Sequence, residues 1–285
     1  MAVHKRSYRG YAGEITPLWS RFLIVMRYAF RNAFSSKLLT AYFVLCFIFP
    51  VACAVAIYLD HNLRFLAMFH ETELFTVDGD FFLLFLGVQG GLAFVLTALI
   101  GPGLVSADLA NNALPLYFCR PFSRLEYLLG KSAVLVWLLS LITWIPALVL
   151  FVIQASLAAP GWTRSNLWMA RSISLGSAIE ILLFCLLTLA LSAWIKRKLA
   201  AGAALLGVFF AGSAFAQAIN AVLGTRNGYL IDLGNLMVTV ESHLFGQHPP
   251  TGLPAENAWL ALLAICTFCL YLLERKVRAY EVVRG

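Results

Sequence analysis

The sequence predicts an all-α integral membrane protein with six transmembrane helices, and three observations lead to that prediction. The chain of 285 residues is 61% hydrophobic and only 12% charged, with a mean hydropathy of +0.83. Soluble domains carry about 25% charged residues, so this chain has too little polar surface to cover a water-soluble globule. It also contains six long apolar runs, and its basic residues fall almost entirely on one side of them.

The six apolar runs define the predicted spans. A helix needs about 20 apolar residues to cross roughly 30 Å of hydrocarbon. The runs that meet or approach this length are residues 38–59, 81–105, 127–153, 173–195, 199–223 and 258–273. The last run is short, but polar residues at both of its ends can extend to the interface. We therefore divide the chain into an N-terminus, 1–37, a six-span domain, 38–273, and a tail, 274–285.

The distribution of Lys and Arg decides the orientation, because these residues concentrate in cytoplasmic loops. Seventeen of the 21 lie before the first span, around the loop that precedes the third span, in the 196–198 loop and in the tail. The other four lie on the opposite side. Both termini are therefore expected in the cytoplasm, with residues 60–80 and 224–257 outside. In so apolar a chain, the net charge of +7 indicates this asymmetry rather than nucleic-acid binding.

Residues 17–36, before the first span, have the apolar period of a helix. The apolar residues that share one face are Trp19, Phe22, Leu23, Met26, Phe30, Ala33 and Phe34. Arg21 points away from this face, and Arg27 and Arg31 flank it. The pattern is typical of an interfacial helix on the inner leaflet, with its arginines near anionic headgroups. A soluble helix packed on a partner is the alternative.

The sequence offers no recognisable catalytic, cofactor or metal site. Gly130-Lys131-Ser132 resembles the end of a phosphate-binding loop, but Leu125 stands where that motif requires its first glycine. All five histidines lie outside the predicted spans, which argues against a haem in the bundle core. The six cysteines are interpreted as packing residues. The polar residues of the first outer loop are interpreted as solvated rather than as a cation site: His70, Glu71, Glu73, Asp78 and Asp80.

Glu180 is the ionisable residue that lies deep within a predicted span, about 10 Å from its outer boundary at 1.5 Å per residue. A carboxyl group at that depth must face protein or a water-filled cavity. We take Glu180, with Gln89 of the second span, as candidate residues of a translocation path. The alternative is a protonated or paired carboxyl group that only locks neighbouring helices together.

Two further features concern helix packing. Gly101-Pro102-Gly103 is expected to break the second span near its inner end, since proline lacks a backbone donor. In the fifth span, Ala203, Gly207 and Ala211 form a ridge of small residues that allows another helix to approach closely. The ridge is either a subunit interface or a seam within the protomer.

The loop between the second and third spans is the most specific feature of the sequence. Ser106 is expected to cap a short helix that Pro115 ends. Arg120-Pro121 predicts an extended elbow, because the residue before a proline avoids the helical conformation. Ser123 and Glu126 then form a capping box at the start of the third span.

The short helix of this loop is expected to dock in a groove of another protein. Large apolar residues that would form its contact patch are Leu109, Leu114, Leu116, Tyr117 and Phe118. Polar residues that would frame the patch and set its register are Asp108, Asn112, Arg120 and Arg124.

Residues 108–114, followed by Arg120-Pro121, Arg124, Tyr127 and Gly130-Lys131, resemble the corresponding loop of the ABC-2 type permeases, the membrane subunits of ATP-driven exporters. In that family this loop carries the coupling helix, which inserts into a separate ATPase subunit. The family's six spans, cytoplasmic termini and N-terminal connecting helix are similar to the layout predicted here. Residues 229–245 look like its outer helices between the fifth and sixth spans.

The resemblance implies a permease subunit of the bacterial cytoplasmic membrane, with cytoplasmic ABC ATPase subunits, a second permease copy or homologue, and membrane lipid as partners. The chain would bind no cofactor and no nucleic acid, because ATP and Mg²⁺ belong to the ATPase. The residues expected to couple to the ATPase are Asp108, Leu109, Asn112, Leu116, Arg120 and Arg124. Two alternatives are a secondary transporter with Glu180 as its proton or ion site, and an integral membrane enzyme.

Overall fold

The computed structural model describes residues 21–66, 76–113 and 124–278, and within these ranges the chain is helical, with no strand. A short 3-10 helix, η1 (Asn227–Leu230), lies between the ninth and tenth α-helices. The α-helices are α1 (Arg21–Ala33), α2 (Lys37–Leu45), α3 (Ile48–Leu66), α4 (Gly79–Ile100), α5 (Pro102–Ala110), α6 (Arg124–Ile142), α7 (Trp144–Leu157), α8 (Trp162–Trp194), α9 (Lys198–Leu223), α10 (Leu233–Leu244) and α11 (Ala255–Arg278).

Six stretches of helix within the described residues are long and apolar enough to cross a membrane, as the sequence predicts. The fourth begins at Trp162, well before the predicted residue 173, because hydropathy marks only the hydrocarbon-facing part of a longer helix. The six candidate spans are Lys37–Asn62, Gly79–Ala110, Leu125–Leu157, Trp162–Trp194, Lys198–Leu223 and Ala255–Lys276.

Three candidate spans are interrupted close to a proline, whose nitrogen cannot donate to the carbonyl group four residues before it. The interruption between α4 and α5 lies at Gly101, next to Pro102, where the sequence predicts it. The α6–α7 interruption lies just before Pro146 and the α2–α3 interruption just before Pro50. These two were not predicted, because each proline stands inside an otherwise continuous apolar run.

Gln89 replaces the hydrogen-bond donor that is lost at the interruption between α2 and α3. Pro50 leaves the carbonyl oxygen of Cys46 without its usual helical donor, and the fully buried Gln89 donates from Nε2 to that oxygen at 3.2 Å. The bond ties α4 to the bend in the first span. This hydrogen bond explains why an amide side chain is buried within a membrane helix, and it gives Gln89 a packing role. The other polar atom of the side chain, Oε1, has no hydrogen-bond partner among the described residues.

The segment between α9 and α11 folds back into the bundle. The backbone N–H of Gly228 in η1 donates to Asn220 Oδ1 at 2.8 Å, near the end of α9. The first turn of α10 then lies against Phe209, close to the middle of α9. The C-terminal end of α10 is bound to α8, where Ser172 Oγ donates to Leu244 O at 2.6 Å. The apolar residues of η1 and α10 therefore pack against the spans, and the external position of residues 224–257 stays a prediction.

The amphipathic helix predicted before the first span is present as α1, which packs along α6. Met26, Phe30 and Phe34 contact the core, whereas Arg27 and Arg31 are exposed. Trp19 lies outside the described residues. The location of α1 on the inner leaflet stays a prediction.

The ridge of small residues on α9 is not a seam within the described part of the protomer. Ala203, Gly207 and Ala211 are all exposed, and no heavy atom lies within 4 Å of the position that a Cβ atom on Gly207 would take. The interpretation of the ridge as a subunit interface stays a prediction.

We expect Gln89→Met to lower the free energy of unfolding by about 1–3 kcal/mol, the cost of leaving a buried carbonyl group unpaired. In a Pro50→Ala background, residue 50 can donate to Cys46 O, so the same substitution should cost clearly less. Thermal unfolding of the four purified variants in detergent measures this coupling. Equal losses in the two backgrounds would contradict the assigned role.

Candidate functional site

Two groups of polar side chains inside the helical bundle are candidates for function. The first, which we call the loop anchor, consists of Asp108, Tyr127 and Lys131. The second, which we call the carboxyl cluster, consists of the buried Glu180 and Glu241 together with the buried Ser177 and Ser242 of the same two helices. The loop anchor joins α5 to α6 beside the predicted docking loop, and the carboxyl cluster lies where α4, α8 and α10 meet.

The loop anchor is centred on one carboxylate oxygen. Asp108 Oδ2 accepts from Lys131 Nζ at 2.8 Å and from the Tyr127 hydroxyl group at 2.7 Å. Tyr127 is fully buried, and Lys131 is nearly so. The two donors are four residues apart and therefore lie on one face of α6. Hydrogen bonds to an ionised group are stronger than neutral ones, so this contact fixes the end of α5 against the start of α6.

The residues of the loop anchor flank the loop between the second and third spans, the most specific feature of the sequence. α5 ends at Ala110, and Asn112 follows with a φ of 50°. Asparagine tolerates this left-handed conformation, which stops a helix. α6 begins at Arg124. Asp108 therefore lies two residues before the end of α5, and Tyr127 lies three residues after the start of α6.

The structure corrects part of the predicted coupling site. Ser106 does not cap a new helix: it lies inside α5, and its hydroxyl group donates to the Pro102 carbonyl group. The helix already begins at Pro102, because proline suits the first helical position. Leu109 is only 4% exposed and packs in the core, so its assignment to an exposed docking patch is wrong. Asn112 is exposed, as expected of a residue in the loop.

The remaining predicted coupling residues lie at or beyond the edge of what the structure describes. Leu116 and Arg120 fall outside the described residues, as do the other large apolar residues of the loop after Ala113. Arg124 is the first residue of α6. A capping box at Ser123 and Glu126 would begin the helix at the residue after Ser123, and α6 does begin there.

The carboxyl cluster confirms that Glu180 faces protein rather than lipid. Glu180 on α8 is 5% exposed, and its carboxylate group lies so close to Gly90 of α4 that a Cβ atom there would overlap Oε1. Glu241 on α10 is also buried, and its side chain packs over Gly176, one helical turn before Glu180. The two carboxyl groups interact electrostatically. Gln89, the other predicted path residue, instead bonds Cys46 O.

Several atoms of this cluster are buried without a hydrogen bond. Glu180 Oε2, Ser177 Oγ and Ser242 Oγ have no hydrogen-bond partner among the described residues. By contrast, the hydroxyl groups of Thr97 and Thr143 donate to carbonyl groups four residues earlier in their helices. An unpaired buried polar atom costs roughly 1–3 kcal/mol. A proton or a polar ligand bound at this position would therefore recover part of that cost.

Glu241 is the functional candidate that the sequence analysis missed. It lies outside the six candidate spans, and burial raises the pKa of its carboxyl group to about 7. The residue was assigned to an external segment, yet Met237, Val240 and Leu244 share its face of α10 and are apolar. A carboxylate within such a stripe is the signal that predicts its burial.

No group of three or more His, Cys, Asp or Glu residues in the described ranges is arranged to hold a metal ion, and the five cysteines in those ranges are free. Comparison of the chain with models of known protein families and with curated proteins finds no match. The resemblance to the ABC-2 permeases therefore rests on the loop residues and on the order of the helices.

We expect Gly90→Ala to displace the Glu180 carboxyl group and to lower the melting temperature of the purified protein, since forcing a methyl group into a packed core costs about 1–3 kcal/mol. Gly91→Ala is the matched control, because no heavy atom lies within 4 Å of a Cβ atom there. That control should be neutral or slightly stabilising, as alanine favours a helix. Glu180→Ala in the Gly90→Ala background should restore stability; equal melting temperatures for Gly90→Ala and Gly91→Ala would contradict the contact.

The raised pKa of Glu241 predicts that stability falls as pH rises. Between about pH 4.5 and 7 the unfolded chain releases this proton while the folded chain retains it, so the folded state loses free energy relative to the unfolded state. We expect a lower melting temperature at pH 8 than at pH 5, and a smaller difference in Glu241→Gln. Glu256→Gln, a change at an exposed carboxylate in the first turn of α11, is the control and should behave as wild type. An unchanged pH dependence in Glu241→Gln would overturn the assignment.

Proposed function

We propose that this chain is the permease subunit of an ABC transporter, which moves a substrate across the membrane in response to ATP hydrolysis by a separate ATPase subunit. The observation that carries the proposal is the loop anchor. Asp108, Tyr127 and Lys131 are three of the positions through which the loop resembles that of the ABC-2 permeases, and they meet at a single oxygen atom. The six candidate spans fit the same class.

The anchor explains how a docked ATPase would move the spans. A force on the loop reaches the bundle only if the loop is held firmly at both ends, and the buried contact at Asp108 provides this. α5, the loop and the start of α6 would then move together. Helices bend most readily where a proline interrupts the hydrogen-bond ladder, so the Gly101–Pro102 interruption supplies the hinge. ATP-driven closure of the ATPase would shift the bundle between inward-open and outward-open arrangements.

The family resemblance also implies the partners and the location of this permease. ATP and Mg²⁺ bind to the ATPase, and the permease works with a second copy of itself or a homologue. The exposed ridge at Ala203, Gly207 and Ala211 supports that dimer, because small residues allow close helix contact in a membrane. The charge distribution supports cytoplasmic termini in a bacterial cytoplasmic membrane.

A second candidate function is secondary transport coupled to protons, and the carboxyl cluster favours it. Two buried carboxyl groups with unpaired neighbouring hydroxyl groups can take up and release a proton within the bundle. Transport that follows a pH gradient in vesicles without any ATPase, and that is lost in Glu180→Gln, would favour this candidate over the first.

The loop tests the first candidate. The wild-type protein, purified from its native membrane, should retain an ATPase that mass spectrometry identifies by its nucleotide-binding motifs. Leu116→Asp should lose this ATPase, whereas Asp108→Asn should keep it but lower ATP hydrolysis by the complex several-fold, since the loop is no longer tied to α6. Leu109→Asp is unsuitable, because it would place a charge in the core.

Asp80→Asn is the matched control for Asp108→Asn, because Asp80 is an exposed carboxylate at the opposite end of the same candidate span. Size-exclusion chromatography should show that each variant is folded. The proposal would be overturned if no ATPase accompanies the wild-type protein, or if folded Leu116→Asp keeps both the ATPase and its activity.

A further inference from the structure

A cavity of about 490 Å³ lies at the end of the bundle where α2, α5, α6 and α9 come together. Beside Ser35, its polar wall is formed by Ser36, Asp108, Lys131 and Lys198. Ser36 stands immediately before the first candidate span, and Lys198 begins the fifth. Asp108 is near the end of the second span and Lys131 is near the start of the third. All four residues therefore lie at the same face of the membrane.

The charge of this cavity is positive. Asp108 neutralises Lys131 at 2.8 Å, so that pair adds no net charge. Lys198 has no ion-pair partner among the described residues, and its alkyl chain lies along Gly103 of α5, which directs it toward the cavity wall. Among the described residues, Lys198 therefore supplies one uncompensated positive charge.

Two helix N-termini add to this charge. α2 begins after Ser36 and α9 begins at Lys198, and neither helix has a side-chain hydrogen bond that caps its free backbone N–H groups. Each helix N-terminus is equivalent to about half a positive charge. The site thus offers an ammonium group together with unpaired backbone donors, which are the groups that bind a phosphate.

The other walls of the cavity are apolar. Leu38, Leu39, Leu99 and Leu104 line it beside the polar groups, and Leu38 belongs to the poorly buried surface of the first span, where it is 67% exposed. A free phosphate ion makes no favourable contact with apolar walls. A phospholipid makes such contacts, because its phosphate group lies at the membrane interface and its acyl chains run along the apolar surface of the spans.

We propose that this cavity binds the phosphate group of an anionic glycerophospholipid from the adjacent leaflet, with Lys198 and the N-terminus of α2 as its principal contacts. The bound lipid would connect the α1–α2 junction to the loop anchor, because Asp108 and Lys131 form part of the same cavity wall. This lipid site does not depend on the proposed function: it would stabilise the protein whether or not an ATPase binds.

The test is a lipid titration of the delipidated full-length protein in detergent. Phosphatidylglycerol should raise the melting temperature in a saturable manner, whereas phosphatidylcholine should have a much smaller effect. Lys198→Gln should weaken the apparent affinity for phosphatidylglycerol by about fivefold, the effect of removing one basic residue near an anionic headgroup. Lys196→Gln, two residues earlier and exposed but not part of the cavity wall, should leave the affinity unchanged.

Two results would overturn the proposal. If inorganic phosphate or glycerol 3-phosphate produces the same stabilisation as phosphatidylglycerol, the site binds free phosphate rather than a lipid. Equal losses of affinity in Lys198→Gln and Lys196→Gln would show that only the general positive charge of this face attracts the lipid. Both variants should melt at the wild-type temperature without lipid, which separates a loss of binding from a loss of folding.

Discussion

A polar group inside a membrane bundle needs a hydrogen-bond partner within the protein, because the surrounding hydrocarbon offers none. Most of this structure can be understood from that constraint. Pro50 removes a donor from the first span, and Gln89 supplies another to the same carbonyl group from a neighbouring helix. Asp108 enters the bundle only because Lys131 and Tyr127 both donate to it. The carboxyl cluster is one of the places where the described residues do not meet this constraint, and two buried carboxyl groups lie there as well, which makes it a candidate for binding.

The sequence predicts the six spans well, because their signal is local. Each span is a run of apolar residues long enough to cross a bilayer, and no tertiary contact is needed to recognise it. The interruption at Gly101–Pro102 is equally local. The sequence also selects Asp108, Tyr127 and Lys131 through their resemblance to a family, although it does not show that they touch. Contacts between residues of two helices depend on how the helices pack, which hydropathy does not report.

Leu109 and Glu241 lie in surroundings that the sequence analysis did not predict, and the reasons are related. Leu109 was assigned to an exposed patch because a short separate helix was expected there, whereas α5 continues the membrane span and turns this residue into the core. The segment that contains Glu241 is too short to span, and the sequence analysis did not predict that it packs against the spans. In the structure its apolar face packs into the bundle beside α8 and α9. A short amphipathic helix can cover either a membrane surface or a gap between spans, and its sequence alone does not distinguish the two.

The loop anchor and the carboxyl cluster both involve the second candidate span, and this links the two sites. Gly90 and Asp108 are separated by 18 residues of helix, or about 27 Å at 1.5 Å per residue. Between them, Gly101 lies so close to Thr188 of α8 that neither helix can slide freely past the other at that point. In the proposed mechanism the span bends at Gly101–Pro102, so its contact with Thr188 is where a movement of the loop anchor would reach α8. Glu180 lies eight residues before Thr188 on α8, and such a movement would therefore also reach the carboxyl cluster. Coupling between two sites acts in both directions, so a change in the protonation of the cluster would in turn act on the loop.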